Sequence, residues 1–119
     1  MTRSAHQQAS GSSDLVAERT ELLTLDGECD MTSAPEFEQQ LHEALDAKQA
    51  DIVVDLRGVS FLDSTMLQAL LLGMRRAKEQ DAGFALIRPP ALVWRVFVLT
   101  GVSDRFVTYS SLSEALALN

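Results

Sequence analysis

Apolar residues recur along this chain with two different spacings, and each change of spacing marks an element. Leu15–Ala17 and Leu22–Leu25 are short apolar runs separated by Glu18, Arg19 and Thr20, a spacing that predicts an antiparallel hairpin. Gly27-Glu28-Cys29-Asp30 interrupts the pattern and leads into Ser33-Ala34-Pro35-Glu36, which reads as a capping box with proline in the first helical turn. Phe37, Leu41, Ala44 and Leu45 then follow at i, i+4, i+7 and i+8, the spacing of one helical face. Ile52-Val53-Val54 is a β-branched run suited to a strand buried on both faces, and Arg57-Gly58 reads as the turn after it. A longer helix is predicted from about Ser64 to Gln80. Met66, Leu67, Leu70, Leu71, Met74 and Ala77 form its core stripe, and Gly83 suits its stop.

Phe84–Ile87 predicts another strand, and Pro89-Pro90 opens a helix that includes Leu92, Val93, Val96 and Leu99 and ends at Gly101. Phe106–Tyr109 is a last strand, and Ser111-Leu112-Ser113-Glu114 a second capping box before a short C-terminal helix. The order is β-β-α-β-α-β-α-β-α. An N-terminal antiparallel hairpin followed by alternating β/α units gives an α/β fold with a mixed β-sheet, parallel after its first strand. Crossovers wound in one direction place the helices mainly on one face. Residues 1–13 are small and polar and read as a flexible tail, leaving 14–119 as one domain.

Composition narrows the function by exclusion. The net charge of -7 argues against a nucleic-acid reader, which shows a basic patch. The one basic cluster, Arg75-Arg76-x-Lys78, sits late in a helix, where it complements the dipole. Cys29 is the only cysteine, so there is no internal disulfide and no cysteine-built metal site; it reads as a small buried hydrophobe. The first residues lack an apolar h-region, and no apolar run approaches the ~20 residues that span a bilayer. A cytoplasmic protein without membrane association is expected.

Catalysis finds no constellation. There is no G-x-S-x-G, His6 lies in the tail, and His42 falls on the polar side of the first helix. Acidic residues are scattered or sit at caps, and no glycine-rich phosphate loop occurs. Asp55, at the end of a buried strand, lacks the acidic pair and the lysine that a phosphoacceptor aspartate needs beside it. The chain reads as a non-enzyme with neither cofactor nor metal.

What remains is Val59-Ser60-Phe61-Leu62-Asp63-Ser64-Thr65-Met66-Leu67, a strand end running into an apolar helix. A helix N-terminus leaves backbone N–H groups unpaired and partly positive. Ser64 at that position either caps the helix or accepts a phosphoryl group whose oxygens meet those donors. Asp63 is the alternative cap. Ala69 and Leu72 lie off the core stripe, so around Met66, Ala69 and Leu72 the helix offers apolar surface for a partner or a second copy of the chain.

These residues resemble the STAS domains, and among them the bacterial anti-sigma factor antagonists. The resemblance covers roughly Leu15 to Leu118. It rests on Gly27-Glu28-Cys29-Asp30 (the family's usual Gly-Glu-Leu-Asp), on Val53 through Ser64, and on Leu99-Thr100-Gly101-Val102. It implies a phosphorylation-switched binding module. In that family the serine matching Ser64 is phosphorylated by a partner that is both anti-sigma factor and serine kinase. The unphosphorylated antagonist binds that partner and frees the sigma factor, and a serine phosphatase resets the switch. By this resemblance Ser64 is the phosphoacceptor, with Thr65 as the alternative, and Asp30, Asp63, Ser64, Thr65 and Met66 form the partner-binding surface. Met66 stands where the family commonly has glycine, adding apolar bulk where a partner backbone would approach. A rival reading is a STAS-type structural subunit of a transport or signalling assembly, used without phosphorylation.

Overall fold

The computed structural model describes residues 9–17 and 19–117. β1 (Ala9–Ala17) and β2 (Thr20–Cys29) pair antiparallel, with Gly11 opposite Leu25 and Leu15 opposite Glu21. The hairpin therefore starts earlier than its apolar residues suggest: Ala9 to Ser13, read as part of the tail, lie in β1. Small polar residues pair there because a strand's hydrogen bonds belong to the backbone, which the side-chain pattern does not reveal. His6 and the rest of the expected tail fall outside the described residues.

β3 (Asp51–Leu62) is parallel to β2 on one side and to β4 (Phe84–Ile87) on the other, and β5 (Val107–Tyr109) pairs parallel to β4. The sheet order is β1-β2-β3-β4-β5. The mixed sheet matches the expectation. Two segments read as breaks do not break it, because Gly27 lies inside β2 and Arg57-Gly58 inside β3. Register shifts between Thr24 and Asp26 and between Gly27 and Glu28 absorb the irregularity, with Gly27 at φ 75°. A bulge bends paired strands without ending them.

α1 (Ala34–His42) continues into a π-helical turn over Glu43–Ala47. α2 (Ser64–Glu79) and α3 (Ala91–Leu99) lie with it on the face formed by Leu23, Leu25, Ile52, Val54, Leu56 and Leu86. Alternation along β3 sends Val53 to the other face, where Ile87 and Ala115 of α4 (Leu112–Ala117) cover it. Three helices on one face and one on the other is the layering expected from the element order.

The helix ends differ from their sequence signals in instructive ways. The hydroxyl of Ser33 accepts from Asp30 N at 2.8 Å and donates to Asp30 O at 3.0 Å, so it closes the preceding turn and does not cap α1. Ser111 does cap α4, accepting from Glu114 N at 3.1 Å, while the Glu114 carboxylate reaches back to Ser110 N at 2.7 Å. α2 stops before Gly83: Asp81 takes the left-handed conformation at φ 56°, and Ala82 N donates to Ala77 O at 2.8 Å. α3 ends as read, with Gly101 at φ 79°.

Candidate functional site

The C-terminal ends of β2 and β3 bring the sequence motif together. Asp63 N donates to Cys29 O at 3.1 Å, tying the end of β3 to the end of β2. Its extended backbone then turns directly into α2. Asp63 Oδ1 accepts from Met66 N at 2.9 Å, and Oδ2 accepts from Met31 N at 3.2 Å. Asp63 is therefore the N-cap of α2, and the same carboxylate clips the loop after β2 onto the helix start.

With the cap supplied by Asp63, Ser64 does not use its side chain as the N-cap. It occupies the first helical position and is exposed, and its hydroxyl has no hydrogen-bond partner among the described residues. Thr65 is exposed beside it. Met66 N and Leu67 N are engaged by Asp63, and the N–H groups of Ser64 and Thr65 have no acceptor among the described residues. An anion on the Ser64 hydroxyl would meet these donors at the positive end of a 16-residue helix.

Met66 corrects the expected partner surface. Its side chain is 0% exposed and packs in the main core, and Ala69 is buried with it. The N-cap geometry fixes which way the first turn faces, and it points Met66 inward. Of the three residues expected to offer apolar surface, only Leu72 is exposed, at 48%. The methionine fills the core here, and it adds no bulk on the partner side.

Asp30 lies one residue before Met31 and is half-buried. The hydroxyl and N–H of Thr32 donate to Asp30 Oδ1 at 2.6 and 3.0 Å, and these bonds hold the carboxyl below its ordinary range. Asp30 thus shapes the turn bordering the site. Cys29, directly before it, is buried and its thiol is pushed up to about 12, first by burial and then by Asp26, Asp30 and Asp63. A buried thiol raised in this way stays protonated at neutral pH. The same three carboxylates mark this end of the molecule as electronegative.

Two apolar residues at this end escape sequence reasoning. Met31 is 66% exposed and Phe61 50% exposed, one on each strand end that flanks Asp63. Phe61 pairs in register with Glu28 beyond the bulge and is exposed where its neighbour Leu62 is buried. Between α1 and α2 runs a groove of about 350 Å³ lined by Glu38, Ser64, Thr65, Gln68, Ala69 and Leu72. It adjoins a smaller hollow of about 170 Å³ through Gln68 and Leu72, where Arg75 and Arg105 converge. A further cavity of about 600 Å³ lies at the opposite end of the parallel strands around Arg19, Gln49, Asp51 and Gln80. None of the motif residues lines it.

Asp55 is buried within β3, clasped by Arg57. Arg57 Nη2 lies 2.8 Å from Oδ2, and Nε lies 3.0 Å from Oδ1. Burial pushes the Asp55 carboxyl up, but the side-chain and backbone hydrogen bonds of Arg57 outweigh it and hold the group below its ordinary range. A carboxylate so engaged is structural. His42 is exposed, its Nδ1 2.6 Å from Asp46 Oδ2. Among the described residues no group of three or more His, Cys, Asp or Glu could hold a metal ion. No helix among them is long and apolar enough to cross a membrane.

Comparison with known proteins identifies the family of the fold. Residues 15–112 match a family model described as "Mlab, STAS domain". The chain is 30% identical over 78 residues to the anti-sigma-B factor antagonist of Staphylococcus aureus strain NCTC 8325, covering 66% of this chain and 72% of that protein. The crystal structure of an anti-sigma factor antagonist from Mycobacterium paratuberculosis superposes with a TM-score of 0.81 at 27% identity, covering 98% of this chain and 97% of that one. The anti-sigma factor antagonist SpoIIAA in its unphosphorylated form shares the fold, with a TM-score of 0.75 at 22% identity over 90% of this chain and 93% of its own. The phosphorylated form of the Bacillus protein SpoIIAA shares it too, at 0.72 and 21%, over 91% and 97%.

Proposed function

Since the chain belongs to the STAS domain family, in its anti-sigma factor antagonist group, we propose that it is a cytoplasmic partner-switching protein controlled by phosphorylation of Ser64. The observation that carries this reading is the division of labour at the start of α2. Asp63 caps the helix, and Ser64 is left exposed with an unengaged hydroxyl. A serine retained only as a cap would point its oxygen at the third N–H of the helix, which Asp63 already holds.

In the unmodified state Ser64 and Thr65 are uncharged and open the groove that runs to Leu72, where Glu38 on α1 is its one charged lining residue. Met31, whose N–H donates to Asp63, and Phe61, two residues before Asp63, add exposed apolar surface at this end of the molecule. An anti-sigma factor that is also a serine kinase docks here and presents ATP to the Ser64 oxygen. The transfer forms the Ser64 Oγ–phosphorus bond, breaks the β,γ bond of ATP and releases ADP. The product carries about -1.5 to -2 charge on the docking strip. Beside Asp63 that charge repels an acidic partner surface and fills a formerly flat contact. The free N–H groups of Ser64 and Thr65 meet it, so the antagonist itself is little strained. A few kcal/mol lost at the interface changes affinity by orders of magnitude. A serine phosphatase restores the binding form.

The experiment is incubation with ATP and the cognate serine kinase, followed by intact-mass measurement. Wild type gains one phosphoryl group and Ser64→Ala gains none. Phosphate kept by Ser64→Ala but lost from Thr65→Ala moves the acceptor to Thr65. An unmodified wild type, with a kinase shown to bind it, overturns the switch and leaves the unphosphorylated structural subunit. Ser64→Glu should weaken kinase binding at least about tenfold in calorimetry while the melting temperature stays nearly constant.

A further inference from the structure

A helix that is apolar on all sides belongs inside a core, yet α3 is seated by only part of its surface. Val93 and Phe97 are buried, and Trp94 packs partly against the same cluster. The rings of Trp94 and Phe97 stack at 4.9 Å, and Phe106 meets Phe97 edge-on at 5.8 Å. Outside this anchor, Leu92 is 79% exposed and Leu99 75%. Leu92, Val96 and Leu99 follow at i, i+4 and i+7, the d–a–d spacing by which one helix seats another. Exposed Arg95 stands beside this seam, one turn from each leucine.

Charge indicates what covers the seam. From Ala82 through Ser103 the chain has no aspartate or glutamate, although the protein as a whole carries -7. The only charge on α3 is that of Arg95. A second copy fits poorly, because a symmetric pair about the middle of the seam would bring two Arg95 guanidinium groups together. An anionic bilayer fits poorly as well. A helix of nine residues gives it little apolar area, and the rest of the molecule is repelled by such a surface. A helix with apolar side chains at heptad spacing and an acidic residue beside them satisfies both the seam and Arg95.

We propose that α3 is a docking face for an acidic amphipathic helix of a partner protein, seated on Leu92, Val96 and Leu99 and oriented by Arg95. No residue of this face belongs to the Ser64 groove, so the two surfaces are separately testable. Trp94 belongs to the anchored side of α3, so binding to the exposed face is read by calorimetry. The probe is a synthetic helix with leucine at its a and d positions flanked by glutamate, and the control carries lysine in place of each glutamate.

With the full-length chain, the glutamate helix should bind saturably in calorimetry, and less tightly as salt rises. Leu92→Glu and Leu99→Glu should each weaken that binding about tenfold or more. Both positions are exposed, so the variants keep the wild-type melting temperature. Arg95→Glu should shift the preference to the lysine helix, and Ser64→Glu should leave the affinity unchanged. Equal affinity for the two helices, binding of neither, or binding indifferent to Leu92→Glu overturns the proposal. Self-association abolished by Leu92→Glu in sedimentation would give the face to a second copy. Binding of phosphatidylglycerol vesicles abolished by the same substitution would give it to a membrane.

Discussion

Asp63 and Ser64 are adjacent, and a single rotation of the backbone decides which of them serves the helix. The extended conformation at Asp63 places its carboxylate over the first turn, where it accepts from Met66 N and, across the strand ends, from Met31 N. Asp63→Ala should therefore cost about 1–2 kcal/mol in urea unfolding, the range of a lost N-cap. Asp63→Asn, which keeps an accepting oxygen, should cost less than half as much. Equal losses would show that charge at the dipole, and not the cap bond, holds the turn. The choice between the two caps was open in the sequence, since aspartate and serine both suit the position. Met66 was legible as a stripe residue and also as a surface residue. The cap geometry assigned it to the core, because turning one residue by about 100° per position fixes all that follow.

At the scale of elements, the parallel strands and their helices were readable from periodicity, whereas bulges and helix ends were not. Gly27 and Gly58 looked like breaks, yet both lie within paired strands. Gly73 shows why a glycine inside a helix need not be a weak point. A Cβ there would stand 2.5 Å from Leu41 Cδ2 and 3.4 Å from Phe84 Cε2, so its absence lets α1 and α2 approach over β4. Gly73→Ala gains about 0.5–1 kcal/mol of helix propensity. It loses about 1–3 kcal/mol to overpacking against a buried leucine. A net destabilisation of about 1 kcal/mol is expected in chemical denaturation. A stabilised variant would mean that Leu41 yields to a new rotamer without cost.

For the whole molecule, acid should be the destabilising direction. Asp55 is held low by Arg57 against the effect of burial, Asp30 by Thr32, Asp46 by Gln80 and Glu114 by Ser110. Each carboxyl has a folded pKa below its unfolded value. Its contribution is complete above roughly pH 4–4.5 and disappears as pH falls through the folded value. Arg57→Ala removes the partner of a buried carboxylate. It should cost about 1 kcal/mol near neutral pH, given that Arg57 is half exposed and partly screened. Wild type and variant should converge below the folded pKa of Asp55, where the carboxyl is neutral. A difference that is constant with pH would refute this pairing as the source.

The sequence by itself determined the order of elements, the mixed sheet with its helices mainly on one face, and the segment from which the proposed function is argued. Apolar periodicity records which side of each element is buried, and turn residues record where the chain reverses. Only the tertiary structure decided that Asp63 caps α2, that Met66 faces inward, and that Met31 is tied to Asp63 while it and Phe61 stay exposed. Those outcomes depend on bonds between strand ends and on bulged register, which join residues far apart in the chain and leave no period in it.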